Sequence, residues 1–82
     1  DAVCDGTYIE FKEVVKTGKN MRSNIIMHIG EAAKKADVVF IKLPTKMTYN
    51  ELKKIADKRF EVFENLKRIV FINIDSLEAF PK

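Results

Sequence analysis

The chain opens Asp1-Ala2-Val3-Cys4-Asp5-Gly6-Thr7-Tyr8-Ile9-Glu10-Phe11-Lys12-Glu13-Val14-Val15. An Asp-Gly pair between two β-forming runs is a strong signal for a two-residue hairpin turn. With Asp5-Gly6 as the turn, Cys4 pairs with Thr7, Val3 with Tyr8, Ala2 with Ile9, and Asp1 with Glu10. Side chains of a strand alternate between its two faces. One face therefore carries Asp1, Val3, Tyr8, Glu10, Lys12 and Val14, and the other carries Ala2, Cys4, Ile9, Phe11 and Val15. The second set, the more apolar, is read as the core face. The first then shows two carboxylates opposite each other, with a lysine two residues further on.

Beyond the hairpin the pattern changes period. Lys16 to Asn20 contains Gly18 and reads as a loop. From Met21 to about Lys35, Ile25, Ile29, Ala32 and Ala36 recur at helical spacing, with Asn20 placed to cap the helix. Val38 to Leu43 is an apolar strand closed by Pro44. Thr48-x-x-Glu51 is a capping-box pattern. It opens a helix reaching about Asn65, with Leu52, Ile55, Ala56, Arg59, Phe60 and Phe63 on its inner side. Arg68 to Ile74 is a last strand, and Asp75 to Lys82 a short tail. The order β-β-α-β-α-β predicts one small α/β domain over residues 1–82. Its sheet is mixed: an N-terminal hairpin, parallel strands joined by right-handed crossovers, and helices packed on it.

Composition narrows the function classes. Of 82 residues, 46% are hydrophobic and 33% charged, the balance of a globular chain. One Cys and one His exclude an internal disulfide, a cysteine-based zinc site and a His-rich metal site. The longest apolar runs have four residues, too short for a membrane partner to be expected, and no signal peptide is visible. No glycine-rich phosphate loop is present, because Gly18 and Gly30 have the wrong context. Because residue 1 is not Met, the chain is read as a fragment of a longer protein. Charge is uneven: residues 1–10 are net −3, residues 11–58 net +6 and residues 59–82 neutral, giving +3 overall. Lys12, Lys16, Lys19 and Arg22 concentrate the basic charge where a polyanion can sit.

Like charges opposite each other on a sheet are unfavourable and call for an offset. Lys12 beside Glu10 supplies one. A divalent cation held by Asp1 and Glu10 supplies another, since Mg²⁺ accepts one or two carboxylates plus phosphate oxygens. With a metal, a bound hydroxide would attack a phosphodiester, and Lys12 would steady the developing negative charge. Without one, the face is an ordinary strand surface with a weak ion pair. His28, the only histidine, borders the apolar stripe of the first helix and is an acid–base candidate. Asn20, Arg22 and Ser23 begin that helix beside the Lys16–Lys19 loop, a place suited either to phosphate or to capping. Lys42 interrupts an apolar strand and would extend the basic surface near Lys12 if the two strands are neighbours.

The stretch from Asp1 through Lys12, the Lys/Asn-bearing loop, the helix ending Glu31-Ala32-Ala33-Lys34-Lys35-Ala36-Asp37-Val38-Val39-Phe40-Ile41-Lys42-Leu43, and the strand Lys67-Arg68-Ile69-Val70-Phe71-Ile72 resemble the nuclease domain at the C-terminus of contact-dependent growth-inhibition toxins. Similar domains are fused to phage minor head proteins and mobile-element proteins. The resemblance covers nearly all of the chain and implies a toxin-type nuclease acting on RNA, most often tRNA. It implies action in the bacterial cytoplasm after delivery within a larger protein, and a cognate immunity protein as partner. Two nuclease architectures share these features. In the PD-(D/E)xK group, which uses Mg²⁺, the motif falls on Asp1, Glu10 and Lys12, though no Pro precedes Asp1. In the metal-free barnase-, EndoU-, colicin- and RelE-like group, candidates are Lys12, Arg22, Ser23, His28 and Thr45. Both groups place a helix before the first strand, which implies that an upstream helix is missing from this fragment.

The expectations are then a nuclease with Lys12, Glu10, Asp1 and His28 as catalytic candidates. Lys16, Lys19, Asn20, Arg22, Ser23 and Lys42 are nucleic-acid contacts, and Asp1 and Glu10 metal ligands if Mg²⁺ is used. The competing expectations are a Mg²⁺-dependent DNase, or a domain that binds nucleic acid or serves structure without cutting.

Overall fold

The computed structural model describes residues 2–4 as backbone and residues 6–82 in full. Strands β1 (Ala2–Cys4) and β2 (Thr7–Glu13) form the hairpin, followed by a 3-10 turn at Gly18–Asn20 and helix α1 (Met21–Ala33). Strand β3 (Val38–Lys42), helix α2 (Tyr49–Val62), strand β4 (Arg68–Ile72) and strand β5 (Leu77–Pro81) complete the chain. The sheet has the sequential order β1-β2-β3-β4-β5. β1 is antiparallel to β2, β2, β3 and β4 are parallel, and β5 is antiparallel to β4. The domain is thus the expected mixed α/β sheet with an N-terminal hairpin, and the tail adds a fifth strand.

The hairpin register is the expected one: Ala2 faces Ile9, Val3 faces Tyr8 and Cys4 faces Thr7. Gly6 sits at φ +80°, the left-handed region such turns need and glycine adopts without a steric penalty. At α2, Thr48 closes the full capping box with Glu51. The Thr48 hydroxyl accepts from the Glu51 N–H at 3.3 Å, and the Glu51 carboxylate accepts from the Thr48 N–H at 3.3 Å and from its hydroxyl at 2.9 Å. These bonds, the Thr48 hydroxyl foremost, hold the Glu51 carboxyl below its ordinary value. Asn20 stands at the cap position of α1, but its side chain makes no capping bond. Its carbonyl instead accepts from Ser23 Oγ and Asn24 Nδ2, both at 3.1 Å.

Both crossovers advance in the same direction across the sheet, so right-handedness places α1 and α2 on one face. Val39, Ile41, Ile69 and Phe71 meet Ile25, Ile29, Leu52 and Ile55 there, all essentially without solvent contact. Each such side chain contributes on the order of 1.5–3 kcal/mol by its burial. Phe71 meets Phe80 of β5 edge-on, with centroids 5.8 Å apart.

This arrangement inverts the expected faces of β2. Glu10 lies beside Val39 and Lys12 beside Ile41, so they share the helix-covered face, where Val14 is 1% exposed. Phe11 and Val15, expected in the core, are 56% and 75% exposed. Ile9 and Phe11 belong to an open sheet face with Val38, Phe40, Val70 and Ile72. There Phe11 and Phe40 lie with rings nearly parallel, 6.3 Å apart. The physical reason is that β3 and β4 are apolar on both faces. Apolar content therefore does not reveal which face of β2 the helices cover; crossover handedness decides it.

Candidate functional site

β2 positions Glu10 and Lys12 on one side of an open cleft of about 200 Å³, and the last turn of α1 with the turn after it brings Glu31, Lys34 and Lys35 to the other. Lys12 Nζ lies 3.9 Å from Glu10 Oε1, with the Glu10 side chain 12% exposed and that of Lys12 31%. The helix thus narrows the approach to both groups, which a free strand surface would not do. Partial burial strengthens charge interactions relative to a fully exposed pair. The predicted pairing of a carboxylate and a lysine at i and i+2 on one strand is therefore present, and it sits in a cleft rather than on an open face.

The wall formed by α1 is fixed from below. Ala32, Ala33 and Ala36 are buried, and Asn65 Nδ2 donates to the carbonyls of Ala33 and Ala36 at 2.9 and 3.1 Å. The Ala33 carbonyl ends α1, where intrahelical partners run out, and that of Ala36 lies just beyond it. Asn65 therefore acts as a C-terminal clamp from the α2–β4 connection. Glu31, Lys34 and Lys35 were not singled out in the sequence. The available signal was their i, i+3, i+4 spacing on the face flanking the apolar stripe, but choosing the flank required knowing which face of β2 the helix covers.

The other predicted residues are dispersed. Asp1 lies outside the described residues, and with it the expected Asp1–Glu10 pair. His28 stands one turn before Glu31, its Nδ1 3.8 Å from Glu31 Oε1, buried and without a hydrogen-bond partner. It touches a wall residue of the cleft but does not line it. Lys16, Lys19, Arg22 and Ser23 are exposed at the opposite end of α1. Arg22 contributes to lowering the Glu51 carboxyl at the start of α2. Thr45 Oγ1 contacts Met21 Sδ at 3.3 Å. Lys42 does not extend the surface around Lys12. Although β2 and β3 are neighbours, Lys42 pairs in register with Glu13 on the open sheet face, and its Nζ lies 3.7 Å from Glu13 Oε2. Strand alternation puts it on the reverse side of the sheet.

Among the described residues, no three His, Cys, Asp or Glu side chains are grouped to hold a metal. A Mg²⁺ ion binding through one or two carboxylates with phosphate oxygens would find Glu10, with Glu31 on the facing wall, as its donors in this cleft. Among the described residues, no helix is long and apolar enough to cross a membrane. Comparison with protein-family models, with curated proteins and with solved structures found no match to the chain.

Proposed function

We propose that the chain is a nuclease of the toxin type, cleaving RNA such as tRNA at the Glu10–Lys12 cleft. One juxtaposition supports the reading: a poorly exposed carboxylate and a lysine 3.9 Å apart, in a cleft whose other wall carries Lys34 and Lys35 beside Glu31. Phosphodiester cleavage in RNA needs a base for the 2′-hydroxyl, positive charge for the equatorial oxygens, and a proton for the leaving oxygen. Glu10 takes the 2′-hydroxyl proton as the 2′-oxygen attacks phosphorus. The bond from phosphorus to the 5′-oxygen breaks, leaving a 2′,3′-cyclic phosphate. The Lys12 ammonium attracts the charged oxygens and hands a proton to the departing 5′-oxygen, and proton return from Glu10 through solvent resets the pair. His28, beside Glu31 but outside the cleft lining, carries no step of this reaction. The bacterial cytoplasm is the proposed site of action, with an immunity protein as the natural inhibitor.

The test is incubation of the purified chain with total tRNA, in Mg²⁺ and in EDTA, beside Lys12→Ala. The expected result is cleavage that survives EDTA, yields cyclic-phosphate ends and falls by at least about 100-fold in the variant. Cleavage abolished by EDTA replaces the metal-free route with the Mg²⁺-dependent one. No cleavage of RNA or DNA in either buffer overturns the reading in favour of a binding or structural domain.

A further inference from the structure

We infer that Lys34 and Lys35 form the phosphate-binding wall of the cleft, so that a single-stranded nucleic acid crosses the C-terminal turn of α1 rather than the Lys16–Arg22 region. The inference rests on the nuclease reading of the same cleft and assigns its substrate-holding residues. Three observations carry it. Lys34 and Lys35 line the cleft opposite Glu10 and Lys12, so a phosphate held by them lies next to the reactive pair. Neither has a carboxylate within 4 Å among the described residues, whereas Lys42, Lys46 and Lys53 are paired with Glu13, Asp75 and Asp57. The turn that presents them is clamped by Asn65 and anchored by buried alanines, so their backbone is set before a ligand arrives.

The Lys16–Lys19 loop lies at the other end of a 13-residue helix. At about 1.5 Å per residue that is roughly 20 Å away. Charge there adds to the general field of the domain but does not fix a phosphate beside Glu10 and Lys12. An exposed lysine pair on a clamped turn suits the phosphate backbone rather than a base edge, so the wall is expected to bind without sequence preference.

The test measures the affinity of a short 2′-O-methylated RNA, which lacks the attacking hydroxyl, as a function of NaCl concentration. Wild type is compared with Lys34→Ala/Lys35→Ala and with Lys53→Ala/Lys58→Ala, which removes equal charge from α2. For single strands each phosphate contact contributes about 0.7 to the slope of log K against log salt. The inference predicts a slope smaller by about 1.4 in the Lys34/Lys35 variant, an unchanged slope in the α2 variant, and a raised KM with little change in kcat on cleavable RNA. An unchanged slope in the Lys34/Lys35 variant, or a loss found instead in Lys16→Ala/Lys19→Ala, overturns the inference while the nuclease reading stands. Absence of any RNA binding and cleavage by the wild type overturns both. Circular dichroism of each variant confirms that the fold is kept, as expected for exposed side chains.

Discussion

Asn73 is the one buried polar residue among the described side chains, and both ends of its amide are hydrogen-bonded. Its Nδ2 donates to the Met47 carbonyl at 2.9 Å, and its Oδ1 accepts from the N–H groups of Met47 at 3.1 Å and Ile74 at 3.3 Å. It thereby ties the loop before α2 to the end of β4. Asn73→Ala strands both backbone groups of Met47 and is expected to cost about 2–4 kcal/mol, read from urea unfolding. At Thr48, substitution by Ala removes the capping box and is expected to cost about 1 kcal/mol at neutral pH. A carboxyl lowered in the folded state stabilises above its unfolded value, and that contribution is lost as pH falls through the folded value. Wild type should therefore lose part of its advantage over Thr48→Ala on acidification, in paired urea midpoints at pH 7 and pH 3, while the bond from the Glu51 N–H to the Thr48 hydroxyl keeps the rest. A constant difference would show that Glu51 takes no part.

At the scale of elements, β2 and α1 carry the argument. If the helices cover the Val14 face, Val14→Asp buries an unpaired charge and should cost more than about 4 kcal/mol. Phe11→Thr, on the open face, should cost less than about 1 kcal/mol. The reverse order of stabilities would restore the opposite assignment. Within α1, a methyl group added to Gly30 meets Phe63 at 3.6 Å and Arg59 at 3.9 Å, ordinary contact distances. Gly30→Ala should therefore raise stability by about 0.5–1 kcal/mol, through a better helix former and a less free unfolded chain. Hairpin, helices and the strands β3 and β4 were legible because their signals are local: an Asp-Gly turn, a capping box, a 3.6-residue apolar period, short apolar runs. β5 was not, since Leu77-Glu78-Ala79-Phe80-Pro81 has one buried side chain, Phe80, and the Asn73–Ser76 turn that folds it back onto β4 contains no glycine to announce a hairpin. The Glu10–Lys12 pair was legible as an i, i+2 spacing. Its opposite wall was not, because it depends on the side of the sheet to which α1 returns.

For the whole molecule, the consequence is a sheet with two unlike faces. One is covered by both helices and holds the cleft, while the other is open and apolar around Phe11 and Phe40. Basic residues on neighbouring strands are thereby placed on opposite faces: Lys12 lines the cleft and Lys42 pairs with Glu13 behind it. The central claim is that chemistry resides on the helix-covered side. It is tested most directly by the single-turnover rates of tRNA cleavage for Glu10→Gln, Lys12→Ala and Lys42→Ala, measured side by side with wild type. The account predicts losses of about 100-fold or more for the first two, as for removal of a general base or a charge-stabilising group, and a wild-type rate for Lys42→Ala. Equal losses in all three, or a loss confined to Lys42→Ala, would contradict it.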